Sequence, residues 1–204
     1  IICPRSKIMI SWCRQGEGVV CMQQSLVEHC KALKLANVPR IYQDLPFNEP
    51  EQYLTALFAE ELKARRLKRI NRLIKTAGFP NTKSLEDFDW SPVTLPDTSS
   101  KTDLAELKFI ERCENIIAVG AVGTGKTFLA TALGLRACTK DKPVRFYRCL
   151  DLANTLLESH RQGRLKKVMA QLGKAQLLII DELGFVPLHR DGAELLFNVV
   201  AQAY

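Results

Sequence analysis

Two short runs in this 204-residue chain combine residue types and spacings that can handle a phosphate. The first, Gly120-Ala121-Val122-Gly123-Thr124-Gly125-Lys126-Thr127, fits the pattern G-x-x-x-x-G-K-[ST]. A triphosphate needs many donors close together, and glycines let the backbone turn so that successive N–H groups point inward with no Cβ in the way. Gly120, Ala121, Val122, Gly123, Thr124 and Gly125 are therefore expected to cradle the phosphates of ATP together with Lys126 and Thr127. Lys126 is expected to reach the β- and γ-phosphates and stabilise the charge that develops on transfer, a catalytic role. The Thr127 hydroxyl is expected to ligate Mg2+.

The second run, Leu177-Leu178-Ile179-Ile180-Asp181-Glu182, is an apolar strand pattern that ends in two carboxylates. Open α/β sheets bind ligands at that end of a strand. Asp181 is expected to hold Mg2+, directly or through water, and Glu182 to be the catalytic carboxylate that polarises the attacking water. Each run alone has an ordinary structural explanation, a Gly-rich turn or a solvent-facing one. Placed about fifty residues apart in one chain, they specify a nucleotide site together.

These residues need a scaffold, and the flanking pattern supplies one. Asn115–Val119 reads as a buried strand that leads into the glycine loop, and Lys126–Ala137 as a helix whose free N–H groups face an anion. Val144–Arg148 reads as a strand, Asp151 as the N-cap of a helix Leu152–His160, and Leu165–Leu172 as a further helix. Arg161, Arg164, Lys166 and Lys167 surround that helix, as a DNA contact or a solvated face. Strands alternating with helices predict a parallel α/β sheet.

Upstream, apolar residues recur at helical spacing over Gln23–Ala36 and Glu49–Ala77, separated by Val38-Pro39 and Leu45-Pro46. The second helix carries Lys63, Arg65, Arg66, Lys68, Arg69, Arg72 and Lys75, with Glu61 the nearby counter-charge. That basic face suits a nucleic-acid contact, or a solvated surface matched to the negative end of the helix dipole. The organisation expected is an unstructured or non-native extension over 1–21, with Met22 a natural start, and a helical basic region over 22–80. A Pro- and Ser-rich linker over 81–101 follows, in which Phe88 and Trp90 pack on a neighbouring surface, and then a nucleotide domain over 102–204 that opens with a helix Ser100–Cys113.

With 47% hydrophobic and 25% charged residues the chain can form a packed core. Its net charge of +7 favours polyanionic partners, nucleic acid first. The longest apolar runs are strand-sized, far short of the roughly 20 residues a bilayer needs, so no membrane role is expected. The odd count of seven cysteines fits a cytoplasmic protein, with Cys113, Cys138 and Cys149 in or beside buried segments. Cys3, Cys13 and Cys21 lack the spacing of a structural zinc site.

The glycine loop, Asp181-Glu182-Leu183-Gly184-Phe185 and the following Val186-Pro187-Leu188 resemble the IstB-like helper ATPases of insertion sequences. So do Leu33-Lys34-Leu35, Arg65-Arg66-Leu67 and Leu85-Glu86-Asp87-Phe88-Asp89. These proteins are relatives of the DnaC helicase loader within the AAA+ class. The resemblance implies an AAA+ P-loop sheet flanked by helices behind a small helical N-terminal domain. It implies an ATPase that assembles as a homo-oligomer on DNA and stimulates a transposase. It further implies a longer protein, with a sensor strand, an arginine that completes a neighbour's site and a helical lid after Tyr204. In the AAA+ strand order 5-1-4-3-2 a strand absent here lies between those of the two motifs. The sheet is therefore expected to be incomplete, with the chain poorly soluble or the two motif strands paired directly, and ATP hydrolysis weak. Two alternatives stand beside this reading: a DnaC-like replicative helicase loader, and a catalytically inert DNA-binding relic.

Overall fold

A computed structural model of the chain describes residues 26–47, 49–96, 99–184 and 188–202. The expectations for residues 1–21, Met22 and the segment 185–187 lie outside these. The chain divides into two compact units at Leu67/Lys68, inside the longest helix.

In the first unit, residues 26–32 form α1, Val38–Ile41 form α2 and Pro50–Ala77 form α3. Cys30, Val38 and Leu57 are buried together, with Leu26, Ile41, Tyr42 and Tyr53 packed around them. The Tyr53 hydroxyl donates to the Tyr42 carbonyl at 2.6 Å. Glu61, 2% exposed, accepts from the Asn37 backbone N–H at 2.9 Å and from Arg65 Nε at 2.8 Å. Asn37 stands at the N-cap position of α2 without a side-chain cap, so one buried carboxylate ties the α1–α2 connection to α3. Burial raises the proton affinity of Glu61, but the hydrogen bonds from Asn37 and Arg65 outweigh it and hold its carboxyl below the usual range.

In the second unit the elements after α3 are α4 (Lys101–Glu106), α5 (Lys108–Glu111), α6 (Lys126–Thr139), β1 (Val144–Arg148), α7 (Cys149–Arg161), α8 (Leu165–Leu172), β2 (Leu177–Asp181) and α9 (Arg190–Gln202). β1 and β2 pair in parallel, from Val144 opposite Leu177 to Arg148 opposite Asp181. Successive side chains of a strand point to opposite faces, and here the alternation divides the core. Val144, Phe146 and Ile179 join Leu104, Leu107, Phe109, Leu133 and Cys138 in one cluster. Tyr147, Leu178 and Ile180 pack against Leu152, Leu156, Leu172 and Leu196 in another. The sheet thus lies between α6 on one face and α7, α8 and α9 on the other.

One residue sets how closely α6 approaches the sheet. A Cβ on Gly134 would stand 2.7 Å from Phe79 Cε1 and 2.8 Å from Ile179 Cδ1. The helix backbone therefore sits where only a glycine fits without movement.

Five local expectations are corrected. The Ser100–Cys113 helix is two short helices, capped by Ser100, whose hydroxyl accepts from the Asp103 N–H at 3.0 Å. It breaks at Leu107, which takes φ 65° while its side chain is fully buried. Burial of a leucine is worth about 2 kcal/mol and offsets a left-handed strain of comparable size. Asp151 lies in the first turn of α7, which starts two residues earlier, with Arg148 at the N-cap position. Cys113 is exposed, whereas Cys138 and Cys149 are buried.

The fourth correction is the largest. Asn115–Val119 is not a strand and is not buried: Ile117 is 84% and Val119 89% exposed. Strand geometry needs an edge to pair with, and among the described residues the sheet contains β1 and β2 alone. Fifth, of the two outcomes expected for the incomplete sheet, direct pairing of the motif strands is not seen, since among the described residues the sheet is β1 and β2 alone. Among the described residues no helix is long and apolar enough to cross a membrane.

Candidate nucleotide site

The glycine loop turns by using left-handed backbone at Gly123 (φ 84°) and Gly125 (φ 86°). Gly125 is also the N-cap of α6, which has no side-chain cap and no acidic residue in its first turn. The first N–H groups of a 14-residue helix are thereby left to an external acceptor, beside the positive end of its dipole. Such an end fits an anion and nothing in the sequence of α6 competes for it.

Side chains brace the loop from within. Thr124 Oγ1 donates to the Ala121 carbonyl at 2.9 Å. Lys126 Nζ donates to the carbonyls of Gly120 at 2.9 Å and Ala121 at 2.6 Å. The ammonium group is folded over the loop it belongs to, where an entering phosphate would compete with carbonyl oxygens for its protons. Ala121, Val122, Gly123 and Thr124 are exposed.

The two motifs meet through Thr127 and Asp181. Thr127 Oγ1 donates to Asp181 Oδ2 at 2.8 Å across 54 positions of sequence. Hard oxygen donors are what Mg2+ takes, at about 2.0–2.1 Å in an octahedron whose edge is about 2.9 Å. The observed oxygen separation is close to that edge, so this pair could occupy adjacent positions around such an ion. Glu182 follows with φ 59° and is exposed. Among the described residues its carboxylate makes no hydrogen bond.

Residues outside the two motifs also shape the site. Phe88 packs on Phe128 at 5.4 Å and on Trp90 at 5.0 Å between ring centroids. A Cβ on Gly125 would stand 3.2 Å from Phe88 Cε2, so the aromatic ring backs the turn. Lys83 Nζ lies 4.8 Å from the Phe128 ring centroid. The packing role of Phe88 and Trp90 is legible in the linker sequence, while Lys83 and the Gly125 contact leave no signal there. The Cys149 thiol, raised by burial, accepts from the Gly184 N–H, which partly opposes that rise. The turn after β2 is thereby tied to the end of β1.

A glycine loop feeding an uncapped helix, set against a parallel strand that ends in Asp-Glu, is the arrangement of P-loop proteins. The chain belongs to the IstB-like ATP binding protein family, whose model matches residues 43–204. It is similar to proteins of insertion sequences IS21 from Pseudomonas aeruginosa, IS232 from Bacillus thuringiensis subsp. berliner and IS5376 from Geobacillus stearothermophilus, each named "putative ATP-binding protein". Identities are 35%, 32% and 33%, over 75%, 74% and 75% of this chain. The same matches cover 58%, 60% and 61% of the relatives, so the chain spans about three fifths of their length.

Proposed function

We propose that this chain binds ATP and Mg2+ as part of an ATP-hydrolysing helper of DNA transposition. The observation that carries the reading is the 2.8 Å contact between Thr127 and Asp181, which brings the two motif residues suited to Mg2+ onto one point beside the start of α6. Gly120 to Thr127 would hold the phosphates, with the helix N-terminus supplying N–H donors. Lys126 would exchange its bonds to the Gly120 and Ala121 carbonyls for bonds to phosphate oxygens. Thr127 and Asp181 would hold the cation, which neutralises phosphate charge when bound.

Glu182 stands one residue beyond Asp181 in a left-handed conformation that costs a non-glycine residue about 1–2 kcal/mol. Its carboxylate is exposed and, among the described residues, makes no hydrogen bond, so it is available to orient a water. The chemistry is the charge-stabilised displacement at a γ-phosphate, in which positioning supplies most of the rate.

Family membership and the insertion-sequence relatives support the wider reading. The protein is of the AAA+ class, with residues 22–80 a helical basic region, 81–101 a linker and 102–204 the first part of the ATPase domain. It acts in the cytoplasm as a homo-oligomer on DNA beside a transposase. ATP turnover with and without duplex DNA tests it: wild type is expected to turn over slowly and Glu182→Gln to bind ATP yet turn over at least about tenfold more slowly. Equal turnover by the two proteins would remove Glu182 from the mechanism.

A further inference from the structure

Three elements of the second unit meet at an open pocket of about 50 Å³, lined by Leu73 and Thr76 of α3, Arg145 of β1, and Gln171 and Lys174 at the end of α8. Their sequences share an imbalance of charge. No Asp or Glu occurs from Leu62 to Leu85, or from Ser159 to Ile180. The cations in these segments are only partly engaged. Arg69 pairs with Asp141 at 3.2 Å and Arg145 donates to the Thr76 carbonyl. Arg72, Lys75 and Lys174 are exposed and, among the described residues, make no ion pair.

Helix stability accounts for only part of this pattern, since Lys75 stands in the last turn of α3, where a cation is favoured. A cation helps at a helix C-terminus and hurts at its N-terminus, yet Lys166 and Lys167 stand in the first turn of α8, which has no acidic residue. Nor does the surface suit a lipid bilayer, because its apolar side chains face inward. Val144 is 3% and Leu172 7% exposed, and Leu73 packs on the core. What remains outward is long cationic side chains at the rim of a small recess floored by Leu73, Pro143, Val144 and Ala175, and such cations can track a phosphate backbone without reading bases.

We propose that the C-terminal part of α3, the start of β1 and α8 form a sequence-independent contact for the phosphates of duplex DNA, with Arg72, Lys75 and Lys174 as phosphate-binding residues. Arg145, held by the Thr76 carbonyl, retains further N–H donors for the same anion. The inference rests on the reading of the protein as one that acts on DNA, and adds where the DNA lies.

The test is fluorescence anisotropy of a labelled duplex of arbitrary sequence with the full chain, titrated across salt concentration. The triple variant Arg72→Gln/Lys75→Gln/Lys174→Gln is compared with Lys31→Gln/Lys101→Gln/Arg112→Gln, which removes the same charge from other exposed positions. Binding of a fluorescent ATP analogue serves as the check that each protein is folded. The groove variant is expected to lose about 2 to 3 from the slope of log K against log salt, and roughly a hundredfold in affinity at 0.1 M salt, while the control stays near wild type. Equal losses in the two variants overturn the placement and leave the DNA reading standing. A wild-type chain that binds nucleotide but no duplex overturns both, and stronger binding to anionic phospholipid vesicles than to duplex overturns the assignment to DNA.

Discussion

The Thr127 hydroxyl lies 2.8 Å from Asp181 Oδ2, joining the first turn of α6 to the last residue of β2. These two residues should act as a unit. Thr127→Ala and Asp181→Ala should each weaken Mg2+-dependent nucleotide affinity, by roughly ten- to a hundredfold, and the double variant should lose little more than either. A double-mutant cycle by isothermal titration checks this. Fully additive losses would show that the two residues serve different ligands.

Gly134 should be intolerant of even one methyl group. Gly134→Ala would place its Cβ against Phe79 and Ile179, forcing α6 off the sheet at a cost of about 1–3 kcal/mol. A drop of several degrees in Tm by calorimetry is expected, despite the better helix propensity of alanine. An unchanged or higher Tm would mean that the helix shifts freely.

Glu61 should make the first unit sensitive to acid. Its carboxyl is held below its ordinary value of 4.5 in the folded state. A lowered folded value gives a stability present above the unfolded value and lost as pH falls through the folded one. Glu61→Gln should cost roughly 1–3 kcal/mol at neutral pH and less below pH 4. Denaturant unfolding of both proteins at pH 7 and at about pH 3 measures the difference, and a cost independent of pH would contradict it.

The two motifs and most of the elements around them are legible because their signals are local. α6 and α8 begin where the sequence places them, β1 coincides with its predicted span and β2 ends one residue before Glu182. The Thr127–Asp181 contact follows from the pairing of motifs, since each residue type has a known partner across the site. What was not legible depends on distant packing. Leu107 carries no breaker signal, and its left-handed turn exists because burial of its side chain outweighs the strain. Asn115–Val119 has the composition of a buried strand, but hydrophobic composition cannot supply the neighbour whose backbone a strand needs. Gly134 carries no local signal, because what excludes a Cβ there is Phe79 and Ile179 from other elements.

That exposed apolar segment has its own consequence. Ile117, Val119 and Val122 are 84%, 89% and 85% exposed, a contiguous run of the kind that templates edge pairing between molecules. Ile117→Lys/Val119→Lys should therefore reduce light scattering at a given protein concentration, with Tm unchanged within about a degree because little packing is lost. Greater aggregation, or a large fall in Tm, would show that these side chains are packed.

Gly120 to Thr127 should bind a triphosphate, and nucleotide binding is the direct measure of it. The chain and its Lys126→Ala variant are titrated with a fluorescent ATP analogue, with and without Mg2+. Wild type should bind saturably, more strongly with Mg2+, and lose at least about tenfold when the Lys126 ammonium is removed. Equal binding by the two proteins, or none by a wild type shown to be folded, would contradict it.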